Sequence, residues 1–156
     1  MDVTQHYPPI ETILPHRDSL LLLDRVLAFT EETLLAEYRV QGDGWYANAE
    51  AAMPAWIGIE LMAQAVAAHV SMLARRAGEQ ARPGVLLGTN KYQAHRAAFP
   101  GAALLQISAR ELLRSDEGHS AYDCTIAYDG ACVAQAAIKV FQPTNFEEFM
   151  SGSPQK

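Results

Sequence analysis

Basic charge is in short supply in this chain. Twelve Lys and Arg stand against eighteen Asp and Glu, a formal net charge of -6, which excludes a general affinity for nucleic acid or an anionic membrane surface, since a positive field holds both. Any basic docking surface has to be local. Cysteine is nearly absent: Cys124 and Cys132 are the only two. They flank an Asp129-Gly130 turn, and a two-residue hairpin there puts Cys124 opposite Gln135 rather than Cys132, so no disulfide is expected. No set of metal ligands is visible either. Long hydrophobic runs are missing as well. The longest mostly apolar stretch, Leu61 to Ala74, is interrupted by Gln64 and His69 and is too short to cross a bilayer. The start, "MDVTQHYPPIETILPHR", lacks a basic segment followed by an apolar core, so it does not read as a secretory signal and a cytoplasmic protein is expected.

What remains is the composition of a soluble globular protein, with 49% hydrophobic and 19% charged residues over 156 positions, enough for one domain with a core. The expected boundaries are a single domain over 1–149 and a flexible tail over 150–156. "SLLLLDRVLAF" and "TLLAEYRV" read as strands joined through Thr30-Glu31-Glu32, after turns at Pro8, Pro9 and Pro15. From Pro54 an alanine-rich segment of roughly six turns reads as a helix, apolar nearly all round and hence buried, ending near Arg75, Arg76 and Gly78. After the flexible "AGEQARPG", four strands follow on short connections: "VLLGTNKYQAHR", "ALLQISARELLR", "SAYDCTIAY" and "CVAQAAIKVFQ". In the last pair Tyr122, Cys124, Ile126 and Tyr128 share one face, as do Cys132, Ala134, Ala136, Ile138 and Val140. One long helix wrapped by an antiparallel sheet is the α+β arrangement called a hot dog.

The helix start "PAWIGIELMAQAVAAH" carries a carboxylate, Glu60, among apolar neighbours. A buried carboxylate loses its hydration and tends toward a raised pKa, so structure alone gives little reason to keep it. Buried acids in such settings mark functional sites often enough to make Glu60 the first candidate.

Three segments resemble the 3-hydroxyacyl-ACP dehydratases of fatty-acid and polyketide synthesis. "ILPHRDSLLLLDRV" is similar to that family's LPHR-then-LLVDRV opening, "MPAWIGIELMAQA" to its P-G-V-L-x-x-E-x-x-A-Q helix start, and "NKYQAHRAAFPGAAL" to its K-x-x-x-x-R-x-x-x-P-G strand and turn. The variant "PAWIGIE-x-MAQ" resembles most the dehydratase-like proteins of aryl polyene clusters. The resemblance implies a hot-dog fold, Glu60 as the catalytic acid with Gln64 beside it, and helix-start amides of Ala55 and Trp56 directed at a thioester carbonyl. It further implies Lys91 and Arg96 as a basic rim for the phosphate of a pantetheine arm. The substrate would be carried on phosphopantetheine by an acyl carrier protein, with no cofactor of the protein's own.

The family's catalytic His sits in a G-H-F-P loop fourteen residues before the acid, and here that position is Tyr46. The loop "GDGWYANAEAAMP" holds no histidine. Tyr46 is a poor base at its ordinary pKa near 10, Asn48 is none, and Asp43 and Glu50 are the titratable alternatives. Trp45 and Tyr46 would line an acyl tunnel or form a lid on a dimer seam. His16 in its turn reads as structural rather than catalytic. His69, nine residues past Glu60, faces the opposite side of the helix and reads as core or interface; His95 points away from Arg96, and His119 follows a turn in solvent.

Two function classes follow. One is an enzyme, dehydrating a 3-hydroxyacyl thioester to the trans-2-enoyl form as a self-sufficient homodimer, with thioester hydrolysis as a related alternative. The other is an assembly partner. In this family the site is built across a subunit interface, so a chain that keeps the acid and lacks the His can complete a heterodimer with a His-containing hot-dog partner. A noncatalytic acyl-binding module is the remaining alternative.

Overall fold

Alternating apolar residues need a common surface to cover, and one long helix supplies it. The structure, a computed structural model, describes residues 6–79 and 85–143. The expected tail and the end of the domain at 149 lie outside the described residues, as does most of the expected flexible segment, residues 80–84. In order come a one-turn helix α1 (Ile10–Ile13), a 3-10 turn at Asp18–Leu20, strands β1 (Arg25–Phe29), β2 (Thr33–Arg39) and β3 (Met53–Pro54), and a second 3-10 turn at Ala55–Ile57. Helix α2 (Gly58–Arg76) follows, and then β4 (Val85–Ala94), β5 (Ala98–Phe99), β6 (Leu104–Arg114), β7 (His119–Tyr128) and β8 (Ala131–Phe141).

The main sheet has the order β1-β2-β6-β7-β8-β4, with β3 and β5 forming a separate two-stranded ribbon. All neighbours are antiparallel, and among the described residues β1 and β4 are the edge strands. The inward faces of β6, β7 and β8, from Leu105, Ile107 and Ala109 to Tyr122, Cys124, Ile126, Ala134, Ala136 and Ile138, are buried. They close on Leu61, Met62, Ala65, Val66 and Ala68 of α2.

Helix α2 forms because Ala, Leu, Met and Gln dominate it without a β-branched run. It stops at a Schellman turn: Gly78 takes φ +74, its amide donates to Arg75 O at 3.0 Å, and the Glu79 amide reaches Ala74 O at 2.8 Å. With its 3-10 lead-in it is 22 residues long and contains an 18-residue window of mean hydropathy 1.5, so, contrary to the expectation from Leu61–Ala74, length and composition alone would let it cross a bilayer. Its apolar content serves the core instead, with 61% of its most hydropathic window buried inside the protein. Burial is one-sided, however. A line through Ile59, Ala63, Ala67, Val70 and Ala74 is only half-buried, so the helix expected to be covered all round keeps an open apolar face.

Two further expectations are corrected. "SLLLLDRVLAF" is strand only from Arg25, because the Leu20–Leu23 backbone is bound by a helix side chain rather than by a sheet neighbour. In the β7–β8 hairpin Tyr128 does face Ala131 across Asp129-Gly130, yet Cys124 faces Ala136 and not Gln135. The register shifts at Ile126/Ala127, where Val133 is the extra residue of a bulge. Both cysteines are free, Cys124 buried and Cys132 exposed; burial pushes the Cys124 thiol up to about 12.

Candidate active site

The start of α2 is assembled from three directions. Met53 and Pro54 pair with Phe99 and Ala98, the Ala55 amide donates to Ala97 O at 3.0 Å, and the Tyr92 hydroxyl donates to the Ala55 carbonyl. Gly58 is required here, because a Cβ at that position would run into the Tyr92 hydroxyl. Of the two amides expected to meet a thioester carbonyl, Ala55 is therefore already engaged. The Trp56 amide lies in the first turn, where a helix offers no internal acceptor.

Glu60 follows in the first turn of α2. Its side chain is 49% exposed, which corrects the expectation of a buried carboxylate: Ile57 turns into the core, while Trp56 stands 66% exposed on the open side. One helical turn on, Gln64 is fully buried. Its amide nitrogen donates to Glu60 Oε1 at 3.0 Å and to Leu20 O at 2.7 Å. Its oxygen accepts from the Leu22 and Leu23 amides at 3.0 and 3.3 Å. Gln64 thus fastens the N-terminal lead to the helix and orients the carboxyl with the same side chain. That lead brings in a residue the sequence reading had set aside: His16 Nε2 lies 3.7 Å from Glu60 Oε1. Forty-four positions separate the two, and no periodicity connects a turn residue to a helix face at such a distance. Arg17 braces the turn by donating to the Leu14 and His16 carbonyls, both at 2.7 Å.

Among the described residues no hydrogen bond or ion pair joins the 43–50 loop to Glu60. Tyr46 is buried; its hydroxyl pairs with that of Tyr38 and accepts from the Gln41 amide at 2.9 Å. Burial, then the bond to Tyr46, raises the Tyr38 pKa above its ordinary value, so Tyr38 disfavours a phenolate. Asn48 Oδ1 accepts from the Glu50 and Ala52 amides, each at 3.0 Å, and shapes the loop. Asp43 and Glu50 are exposed. Trp45, 59% exposed, donates through Nε1 to Ser19 O at 2.9 Å. Trp45, Tyr46, Tyr38 and Asp43 line a cleft of about 460 Å³ with Asp18 and Asp24. Glu60 is not part of its wall, and carboxylates are poor company for a phosphate. Lys91 and Arg96 are exposed, Arg96 lying 5.3 Å over the Tyr128 ring. His69 is buried on the far side of the helix as expected, and no cluster of metal-ligating side chains occurs among the described residues.

Over residues 8–151 the sequence matches the ApeP-like family, described as ApeP dehydratase. The chain belongs to the ApeP dehydratase family. Among solved structures it is similar to a chain of the dehydratase heterocomplex ApeI:P from Xenorhabdus doucetiae, with 25% identity, a TM-score of 0.87, and coverage of 96% of this chain and 100% of that one. A hypothetical thioesterase from Streptococcus pneumoniae with coenzyme A follows at 15% identity and a TM-score of 0.61, covering 77% of this chain and 88% of that one. The phenylacetic acid degradation protein PaaI of Thermus thermophilus matches at 18% identity and 0.59, covering 76% and 91%. These last two show the hot-dog fold and no more. No curated protein sequence matches. In this member of the family Gln64 orients the Glu60 carboxyl at the start of α2, and the 43–50 loop is organised around Tyr46 and Asn48.

Proposed function

We propose that the protein is the acid-bearing subunit of a dehydratase that converts a 3-hydroxyacyl thioester to the trans-2-enoyl thioester. The substrate is carried on the phosphopantetheine of an acyl carrier protein, and a hot-dog partner supplies the histidine base. One observation carries this reading: Glu60 stands on an open apolar helix face, oriented by Gln64, while the 43–54 loop of its own chain holds no histidine. Membership in a dehydratase family and similarity to a chain of a heterocomplex support it. In the reaction, Glu60 protonates the departing hydroxyl while the partner's base takes the α-proton. Trp56 and Trp45 would flank the acyl chain, the Trp56 amide would meet the developing enolate oxygen, and Lys91 and Arg96 would serve the phosphate. All of this takes place in the cytoplasm.

The test is a Glu60→Gln variant, reconstituted with a hot-dog partner that has an intact histidine loop and given a 3-hydroxyacyl carrier-protein substrate. Loss of general acid catalysis lowers the rate by about 10²–10⁴-fold, with folding unchanged because the side chain is half-exposed. Rapid release of free thiol with no enoyl product would instead identify a thioesterase.

A further inference from the structure

Among the described residues one buried side-chain polar atom has no hydrogen-bond partner, Nδ1 of His16. The other ring nitrogen, Nε2, faces Glu60 Oε1 at 3.7 Å. A neutral imidazole carries one proton, on one nitrogen or the other. On Nδ1 it would be a buried N–H without an acceptor, and a charged ring would bury that same N–H. An unpaired acceptor is the smaller loss, so the proton belongs on Nε2, directed at the carboxyl.

Glu60 Oε1 already accepts from the Gln64 amide at 3.0 Å. Two N–H groups therefore converge on one oxygen, and neither can accept a proton from it. When the carboxyl is protonated, Oε1 has to be its carbonyl oxygen and the proton has to sit on Oε2. At 3.7 Å the His16 contact is longer than a hydrogen bond, as contacts in an unliganded site often are before substrate tightens them.

We propose that His16 is a positioning residue for Glu60: its Nε2–H, together with the Gln64 amide, holds Oε1 and confines the transferable proton to Oε2. The inference rests on Glu60 being the general acid. The Oε2–H bond breaks toward the substrate's 3-hydroxyl and the C–O bond breaks with its electron pair on oxygen, releasing water. The α-C–H pair becomes the new double bond, and its proton goes to the partner's base. His16 gains and loses nothing; it fixes which oxygen gives.

Two measurements decide this. In ¹⁵N NMR of the protein alone at neutral pH, His16 is expected as the Nε2–H tautomer with Nδ1 unprotonated; a neutral Nδ1–H ring would overturn the proposal without any reference to catalysis. In the reconstituted assembly, hydration of a crotonyl thioester is expected to lose at least ~10-fold in kcat with His16→Leu, with KM little changed. His16→Gln, which keeps an N–H near the Nε2 position, should recover most of it. Equal rates for the Leu and Gln variants, or a loss confined to KM, would overturn the positioning role while leaving Glu60 as the acid. Full activity of Glu60→Gln would remove the dehydration reading itself, and the proposal with it.

Discussion

At the scale of single residues, Glu60 and Gln64 show what spacing in a sequence can and cannot convey. A separation of four puts two side chains on one helix face, and they meet at 3.0 Å. Their surroundings were not readable in the same way, because an apolar helix looks alike whether its face meets a core or an interface. The acid was therefore expected to be buried and is half-exposed. His16 escaped for another reason: its contact depends on how Gln64 draws in the 20–23 backbone, which no local pattern encodes. Tyr46 stands where the resemblance in sequence would put a catalytic His, and its hydroxyl is consumed by Tyr38 and the Gln41 amide. Tyr46→Phe strands those two groups and should cost about 1–3 kcal/mol of stability. A urea titration reads the loss, and the rate of the assembled enzyme should stay within about threefold, well below the 10²-fold expected of a lost base. A collapse in rate with stability intact would make Tyr46 the base.

At the scale of elements, α2 is tied to the sheet by polar as well as apolar contacts. His69 Nδ1 lies 2.7 Å from the Tyr122 hydroxyl of β7, which donates to Glu111 of β6 at 2.9 Å, while Nε2 lies 3.2 Å from the Thr30 carbonyl. Arg114 pairs with Glu111 at 3.0 Å. Burial lowers the His69 pKa below its ordinary value, against the Thr30 hydrogen bond and the Glu111 charge, which raise it. As pH falls through about 6.5 the unfolded chain protonates this histidine before the folded protein does. Stability is thus fully present above that pH and declines below it. Thermal melts between pH 7.5 and 5.5 should show a drop in Tm that His69→Gln makes shallower; an identical pH dependence in the variant would contradict the assignment. The antiparallel strands and the long helix were legible from alternation and from the Gly and Asp punctuation. The β7–β8 register was not. A bulge adds Val133 to one strand, and nothing in the letters "ACVAQ" distinguishes a bulged valine from a paired one.

On the scale of the whole molecule, the described residues leave several surfaces facing outward: the β1 and β4 edges, the half-buried line along α2, and the Trp56–Glu60 corner. A chain with an oriented acid, no histidine in its loop and a family tie to dehydratases makes chemical sense as half of a site. Fold class and family were readable from three short motifs. The lack of a histidine in the 43–54 loop was readable too, although the half-buried face along α2 required the three-dimensional arrangement. The most direct measurement is dehydration of a 3-hydroxyacyl carrier-protein substrate by this protein alone, by a His-containing hot-dog partner alone, and by the two mixed. The account predicts that turnover by the mixture exceeds the sum of the separate rates by at least about 10²-fold, and that Glu60→Gln in this chain abolishes the excess. Full turnover by this protein alone, unchanged on adding the partner, would contradict it.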